Sequence, residues 1–478
     1  AGQALKSAIA DCDATSPVAP AIDTIAAIPQ FEISTPLAQA PFGKSNNPPR
    51  SIAARVGADP EHAILEVVGG QGPQKLIGEL AQDIAQGKRA CAAIVGSEAI
   101  STMLALLKKG EHPDWTEDVD GQIEARGFGM SGMIEKAAIA NGFGGTIPSY
   151  ALFENARRGK LGLTLEAYRA KIGELFAPFT HIAAENPHAA APIQRSAQEL
   201  ANVNENNRIV AEPYTRMTVA RDQVNQAAAI IIASAGQARA LGVPEDRWVH
   251  IHAVVDAKEL SVLSRPDFGK SAASVASLRT ALDMAGIAIE DVSHIDLYSC
   301  FAIAVFNQID ALGLAPDDPR GLTLTGGLPF FGGAGNNYST HAIAEAVTRL
   351  RADRHGYALV GANGGFMSKY STGIYSSRPA DWSQSRWATL PEQDNAVPVR
   401  DNYEGEAIIE SFTIMPEKGR IKASVAARLP DGSRTAAIAE KENEKTVHSM
   451  QDHEPIGRKI QITMGDEGRN FFTFSDNM

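Results

Sequence analysis

Apolar positions along the first 380 residues follow one plan that occurs twice. In the first copy, a helical stripe over 1–12 precedes a buried strand over 22–28. The second copy has the same order, with a helix over 272–285 and a strand over 292–298. Strands that alternate with helices predict sheets whose faces are covered by helices.

The duplication extends through a glycine-rich turn in each copy. Residues 67–97 read as an apolar run, a turn, an amphipathic helix and a buried strand, and residues 322–361 repeat that order with a longer turn. We therefore predict two equivalent strand–turn–helix–strand units. The two halves, 1–111 and 216–380, would form a layered α/β/α/β/α body whose glycine turns face a shared centre.

The two copies differ at their start. The second copy has a strand over 248–255 before its first helix, whereas the sequence opens directly on the helix of the first copy. The matching first strand is therefore either absent from the fold or outside the sequence given.

Two regions depart from this plan. Residues 112–215 are rich in glycine and contain a helical stretch, which is typical of an insertion that covers a site. Residues 381–478 begin as a polar linker, and from Gly405 onward apolar and polar residues alternate with a turn at 430–432. This pattern predicts a small all-β, OB-like barrel.

Composition excludes several classes of function. The 478 residues carry a formal net charge of −12 without a dense basic cluster, so we expect no nucleic-acid partner. No apolar run is long enough to span a membrane. The three cysteines are too few and too scattered for a disulfide framework or a zinc site, which favours a reducing, cytoplasmic location. We expect no metal and no covalently bound cofactor.

Several segments resemble the thiolase superfamily, over about 1–380. Residues 76–98 are similar to the thiolase segment that follows the nucleophile, and 216–229 to the entry into the second thiolase half. Tyr-Ser-Cys-Phe at 298–301 stands where thiolases carry Asn-Glu-Ala-Phe or His-Asp-Cys-Phe. The run at 326–338, together with the extra β domain, looks closest to the type-1 thiolase-like proteins, which are commonly labelled acetyl-CoA acetyltransferases.

The resemblance implies coenzyme A thioester chemistry, but the residues that perform it are replaced. A thiolase uses a cysteine thiolate at the start of the first-half helix, an activating histidine from the second half, and a second cysteine as acid and base. These three positions fall on Gly70, Gly333 and Ala362. We therefore expect binding of coenzyme A or an acyl-CoA without ordinary thiolysis.

The remaining polar groups are candidate catalytic residues, each with a structural alternative. Cys300 is either a nucleophile, more reactive than the other cysteines, or a small buried hydrophobe. Asn336 and Asn337 open a helix and either hold an oxyanion or pantetheine carbonyl or cap that helix. Asn363 either donates to a thioester oxygen or serves as a turn residue, and His341 either catalyses or packs.

The glycine-rich turns are candidate ligand-binding segments because they let a ligand approach the backbone closely. Five residues in or next to these turns are candidates for contact with coenzyme A: Gly70, Gly72, Gly332, Gly333 and Tyr338.

Three functions remain open at this level. The first is a coenzyme A thioester-binding protein that is acyltransferase-like but lacks the thiolase Cys/His/Cys set. The second is an active acetyl-CoA acyltransferase that uses Cys300. The third is a non-catalytic scaffold for a partner in lipid metabolism, docked through the β domain. The resemblance also implies a homodimer.

Overall fold

The computed structural model describes residues 1–417, 419–440 and 443–475. Its strands are β1 (Thr24–Ala27), β2 (His62–Leu65), β3 (Cys91–Ala99), β4 (Glu124–Ala125), β5 (Ile209–Ala211), β6 (Tyr214–Thr215), β7 (Asn225–Ala233), β8 (His250–Lys258), β9 (Val292–Asp296), β10 (Tyr357–Gly364), β11 (Lys369–Ser376), β12 (Trp387–Thr389), β13 (Gly405–Glu417), β14 (Arg420–Arg428), β15 (Arg434–Ala439), β16 (Lys459–Met464) and β17 (Asn470–Phe474). Its α-helices are α1 (Gly2–Asp11), α2 (Pro48–Ala54), α3 (Gly72–Ala85), α4 (Ile100–Lys109), α5 (Lys136–Ala138), α6 (Thr146–Lys160), α7 (Leu165–Glu185), α8 (Ala197–Ala201), α9 (Ala235–Ala240), α10 (Ala272–Ala285), α11 (Ala302–Leu312), α12 (Tyr338–Ala352) and α13 (Glu444–Asp452).

Two five-stranded sheets share one arrangement of three adjacent strands. The first sheet has the order β4–β2–β1–β3–β7 and the second the order β12–β8–β11–β10–β9. In the first, β1 is parallel to β3, and β3 is antiparallel to β7. In the second, β9 is parallel to β10, and β10 is antiparallel to β11. The duplicated α/β plan predicted from the sequence is confirmed.

Helices α3 and α12 lie between the two sheets, because each contacts strands of both. The apolar stripe of α3, with Leu76, Ile77 and Leu80 at most 1% exposed, is buried from several sides at once. Helices α1 and α2 cover the outside of the first sheet, and α10 covers the outside of the second. The result is the layered α/β/α/β/α body that the sequence predicts.

The apolar run at 322–325 does not form the strand that the sequence predicts. One ladder-like bond, from Leu297 N to Leu322 O at 3.0 Å, joins it to the end of β9. The Asp296 carboxylate instead accepts from Leu324 N at 2.8 Å and from Thr323 Oγ1 at 3.1 Å. A buried carboxylate thus takes hydrogen bonds that a neighbouring strand would otherwise make.

The two sheets differ at both edges. Beyond β1 the first sheet continues with β2 and β4, whereas β9 is an edge strand of the second sheet among the described residues. In the second sheet, β8 pairs antiparallel with β11. In the first, β7 pairs with β3 and with no further strand among the described residues. A groove of about 520 Å³ runs along residues 230–235 of this edge, and apolar side chains of α3 and α12 line it. In the duplicated plan, this edge is the position that corresponds to β8 of the second sheet.

The C-terminal strands close into a barrel in the order β13–β14–β15–β17–β16. This is a five-stranded, OB-like arrangement with its own apolar core, as predicted. The barrel packs on α6 of the insertion, where Asn155 Nδ2 donates to Phe412 O at 3.2 Å and Arg158 pairs with Glu454 at 2.6 Å.

Three strands bear on the predicted domain boundaries, which otherwise stay predictions. Strand β4 lies within the insertion 112–215 but pairs with β2 in the first sheet. Strand β7 follows the insertion 112–215 in sequence but belongs to the first sheet. Strand β12 lies within 381–478 but pairs with β8 in the second sheet. The two halves are therefore interleaved at their ends.

Within the described parts of the chain, no helix is long and apolar enough to cross a membrane. The same residues contain no cluster of three or more His, Cys, Asp or Glu side chains suited to a metal ion.

Candidate functional site

The glycine turns of the two halves meet at the centre of the body. Gly69 N donates to Asn336 Oδ1 at 2.9 Å, and Ser339 Oγ donates to the carbonyl of Gly70. The Asn336 amide also donates to Pro29 O at 2.7 Å and to Ser34 Oγ at 2.9 Å. Asn336 therefore ties the first-half turn to the start of α12, and the protein already uses both of its amide hydrogens.

Gly70, the residue expected at the nucleophile position, is closely packed. A Cβ atom added there would lie well inside van der Waals contact of the Tyr298 hydroxyl and 2.6 Å from the backbone oxygen of Asn363. The Tyr298 hydroxyl thus occupies the space into which a side chain at position 70 would project. Position 70 accepts only glycine while Tyr298 holds this place.

Cys300 lies beside this point but is poorly suited to act as a nucleophile. It is 7% exposed, and its closest polar neighbours are Asn363, with Nδ2 at 3.7 Å from Sγ, and Tyr150. Burial raises the pKa of the Cys300 thiol to about 12, more than the neighbouring hydrogen bonds lower it. A protonated thiol is a weak nucleophile, so the surroundings of Cys300 favour the hydrophobe alternative.

Asn363 lies in β10, opposite Tyr370 of β11, and not in the turn that the sequence suggests. Its Nδ2 donates to Tyr150 OH at 3.1 Å, and Met367 N donates to the same hydroxyl at 3.1 Å. The Asn363 Oδ1 atom is buried and has no partner among the described residues. The Nδ2 atom of Asn363 is thus fixed by Tyr150, whereas its Oδ1 atom has an unused acceptor.

The other two catalytic candidates are occupied with packing. Asn337 does not cap α12 with its side chain, whose Oδ1 accepts from Thr340 Oγ1 at 2.6 Å. His341 packs edge-on against Phe331, with ring centroids 5.2 Å apart. Burial lowers the pKa of His341 to about 3, so its ring is neutral at physiological pH.

The candidate ligand contacts in the second-half turn also face protein. The Tyr338 hydroxyl is fully buried against Thr325 and Asp296, at 2.6 and 3.2 Å. The remaining glycines of the set have equally local surroundings: Gly72 opens α3, Gly332 faces Gln226, and Gly333 donates to Arg221 O. The structure brings Gly70, Asn336, Cys300 and Asn363 together, and Tyr338 adjoins them through its ring contact with Tyr298.

Polar atoms without partners collect near this centre. Gln71 Oε1 and Asn363 Oδ1 are buried and unpaired within the described part of the chain. Buried polar groups are almost always hydrogen-bonded, to protein, water or ligand. These two oxygen atoms therefore lack a donor, which a water or a ligand would supply.

Sequence reasoning missed three tyrosines of this centre, Tyr150, Tyr298 and Tyr370. They come from the insertion, the end of β9 and β11, and only the fold brings them together. The one signal available was the unusual Tyr-Ser-Cys-Phe run, in which Tyr298 stands at the first position.

Lys369 supplies a cation next to the first-half turn. Its Nζ donates to Val68 O at 2.8 Å. Burial lowers the pKa of Lys369 to about 8, and Glu66 opposes that shift. An anion bound here would raise the Lys369 pKa again.

Comparisons with known proteins address the family. A family model described as the thiolase-like protein type 1 additional C-terminal domain matches residues 390–467. No curated protein matches the chain significantly.

Solved structures give a wider match. A monomeric SCP2-thiolase like protein type 1 from Mycobacterium smegmatis is 41% identical, with a TM-score of 0.85, over 99% of this chain and 94% of that chain. Human mitochondrial 3-ketoacyl-CoA thiolase is 14% identical (TM-score 0.55), over 79% of this chain and 92% of that chain. The Ltp2-ChsH2(DUF35) aldolase is 16% identical (TM-score 0.53), over 75% and 88%. The last two likenesses concern the fold alone.

The type-1 match extends over nearly the whole chain and includes the C-terminal barrel. The chain belongs to the thiolase superfamily, in the group of type-1 SCP2-thiolase-like proteins.

Proposed function

We propose that this protein binds a coenzyme A thioester and does not cleave or condense it as a thiolase does. The observation that carries the proposal is the set of unpaired polar atoms at the meeting point of the two glycine turns, next to the Tyr298 hydroxyl. An acyl-pantetheine arm carries amide N–H groups that would donate to these acceptor oxygens.

The lack of thiolysis follows from the groups that surround this point. Gly70, Gly333 and Ala362 offer no nucleophile, base or acid at the positions expected for the thiolase set. Cys300 is adjacent, but burial holds its thiol protonated. Acyl transfer through Cys300 would require a base, and neutral His341 is packed against Phe331 instead.

Charge near the turn supports an anionic ligand despite the net charge of −12. Lys369 lies beside residues 68–70, and the N-terminus of α3 begins at Gly72. The Lys369 ammonium favours a phosphate. The start of α3 adds little, because Gly72 N already donates to Gly69 O and Pro73 has no N–H. We expect affinity to fall as salt rises.

Calorimetric titration tests the proposal. Coenzyme A, acetyl-CoA and longer acyl-CoAs are titrated into the full chain, and we expect saturable binding of at least one thioester that is tighter than that of free coenzyme A. Equal binding of coenzyme A and every thioester would contradict an acyl site, and no saturable heat with any of them would contradict the proposal as a whole.

A non-catalytic scaffold is the second candidate, and the enclosure of the site favours it. Tyr298, Cys300 and Asn363 are each at most 7% exposed, so a ligand needs a local opening. The name of the Ltp2-ChsH2(DUF35) aldolase describes a thiolase-fold protein joined to a second component, which is in line with a partner for the barrel. A chain that binds no acyl-CoA would favour this candidate.

Two further properties remain proposals. The chain carries three free cysteines, in line with a cytoplasmic location. The resemblance to thiolases implies a homodimer, whereas the type-1 relative is described as monomeric, so a monomer is the alternative. Light scattering coupled to gel filtration decides between the two masses.

A further inference from the structure

We propose that Tyr298 takes the place of the missing cysteine side chain and that its hydroxyl donates a hydrogen bond to the carbonyl oxygen of the bound acyl thioester. This inference rests on the proposed function and names the group that recognises the thioester. Its basis is that the Tyr298 hydroxyl fills the space that a side chain at position 70 would take.

The tyrosine ring is fixed by its surroundings. It packs edge-on against the Tyr338 ring, with centroids 5.3 Å apart and planes at 84°. Tyr338 is in turn held through its hydroxyl by Thr325 and Asp296. The next residue, Ser299, accepts from Leu328 N at 3.1 Å and anchors the backbone. A donor held in this way is preorganised for a ligand.

The hydroxyl itself is free to donate. Among the described residues it makes no hydrogen bond, although 93% of the Tyr298 surface is covered, since 7% is exposed. Burial, and to a lesser degree the Cys300 thiol, raises the pKa of the Tyr298 phenol. The group is therefore a neutral donor at physiological pH.

The chemistry of the surroundings selects the acceptor. The shift in the Tyr298 pKa comes from burial and the Cys300 thiol, with no cation among its causes, and the nearby Lys369 ammonium is bonded to Val68 O. A charged carboxylate or phosphate placed at the hydroxyl would be desolvated without a counter-charge, which is costly. A neutral carbonyl oxygen needs only a donor, so a thioester carbonyl suits this position and the phosphates belong elsewhere.

A thermodynamic cycle of binding affinities tests the inference: the Tyr298 hydroxyl and the ligand carbonyl are removed separately and together. Tyr298→Phe keeps the ring and removes the hydroxyl, and S-ethyl-coenzyme A keeps the ligand but lacks the carbonyl. Wild type and variant are titrated with acetyl-CoA and with S-ethyl-coenzyme A. We expect the variant to lose roughly tenfold in affinity for acetyl-CoA and nothing for the thioether.

Tyr375→Phe serves as the matched control. This tyrosine is also buried, but its hydroxyl contacts Gln74 on α3 and not the Gly70 turn. Its loss should lower stability and leave affinity for both ligands unchanged. Infrared spectroscopy of acetyl-CoA labelled at the thioester carbonyl gives a second readout. The carbonyl stretch should lie at lower frequency in the wild-type complex than in free acetyl-CoA, and should return to the free value in the Tyr298→Phe complex.

The outcomes separate the inference from the proposed function. If wild type binds neither ligand, both fail. If wild type binds acetyl-CoA and Tyr298→Phe binds it equally well, the role of Tyr298 is overturned and the binding function stands. An equal loss for both ligands would show that Tyr298 acts through packing, which also overturns the inference.

Discussion

The two halves share one arrangement of strands and helices, but their glycine-rich turns are built differently. In the first half the turn is four residues long, 69–72, and Gly70 presses against Tyr298 and Asn363 of the second half. In the second half the turn extends from 326 to 337, and Gly333 faces the Arg221 carbonyl with the nearest atom at 3.3 Å from an added Cβ. The repeated apolar pattern builds the scaffold, whereas contacts between the halves at the turns shape the site.

Cysteine reactivity should show the largest effect of this difference. Cys12, directly after α1, is partly exposed, and burial and Asp11 raise its pKa; Cys300 is buried at the centre, and its pKa is raised to about 12. Iodoacetamide should modify Cys12 first, at least roughly tenfold faster than Cys300, because the reactive species is an accessible thiolate. This reverses the order that the sequence suggests.

Mass spectrometry of partially alkylated protein measures that order. Buried Cys91, whose pKa burial also raises to about 12, is the internal control and should react as slowly as Cys300. Faster labelling of Cys300 than of Cys12 in the native state would restore Cys300 as a nucleophile.

Adding one methyl group to each turn compares them directly. Gly70→Ala forces a Cβ against the Tyr298 hydroxyl and the Asn363 carbonyl, and we expect it to lower the free energy of unfolding by about 3 kcal/mol. Gly333→Ala meets its nearest atom at 3.3 Å and should cost less than about 1 kcal/mol. Neither glycine has a positive φ, so sterics alone separate the two variants.

Urea denaturation gives both free energies of unfolding. A similar cost for the two substitutions would mean that Tyr298 moves aside readily, and the close packing at Gly70 would lose its significance.

Substituting each of the two asparagines at the start of α12 compares a hydrogen bond between the halves, from Gly69 N to Asn336, with a local one, from Thr340 to Asn337. Asn336→Ala leaves the buried Gly69 N–H without its acceptor and should cost about 2 kcal/mol. Asn337→Ala removes one bond, from Thr340, and should cost about 1 kcal/mol. If the Asn337 variant is the less stable of the two in chemical denaturation, the turns are not joined through Asn336.

The pH dependence of stability tests a further contact between the halves, that of Glu98 in β3 with the second-half glycine turn. Glu98 accepts from Phe31 N at 2.9 Å and lies against Gly335 of the second-half turn. Burial, opposed by that bond and assisted by Glu32, raises the pKa of Glu98 from near 4.5 to about 8. The folded state therefore holds a proton that the unfolded state releases between these values. Stability is full below pH 4.5 and is lost as pH rises toward 8, by at most ~1.4 kcal/mol per pH unit from this group.

Glu98→Gln removes that proton linkage while it keeps an acceptor for Phe31. Unfolding free energies measured from pH 5 to pH 9 should fall less steeply in the variant than in the parent chain. Parallel pH profiles for the two proteins would mean that Glu98 ionises normally in the folded state.

Much of the scaffold was predictable because burial imposes periodicity on sequence. The helix that became α3 and the barrel turn at 430–432 follow directly from such patterns. The apolar run at 322–325 predicted a strand that does not form, because Leu324 N donates to the Asp296 carboxylate and not to a neighbouring strand.

The site was harder to predict because its contacts join distant segments. The resemblance assigns the nucleophile position to Gly70, in the turn before α3, yet nothing in the sequence tells that the Tyr298 hydroxyl fills the space beside it. Asn363 was expected in a turn, but β10 continues through Gly364 and pairs it with Tyr370. Roles that depend on contacts between segments 200 or more residues apart, such as Asn363 with Tyr150, leave no local pattern.

The central claim is that the chain binds an acyl thioester and leaves it intact. The direct measurement is equilibrium dialysis against acetyl-CoA and acetoacetyl-CoA with excess coenzyme A, followed by chromatography of the recovered ligands. The account predicts saturable retention of thioester and recovery of both compounds unchanged. Conversion of acetoacetyl-CoA to acetyl-CoA at about 1 per second or faster would contradict it, and so would an absence of retention.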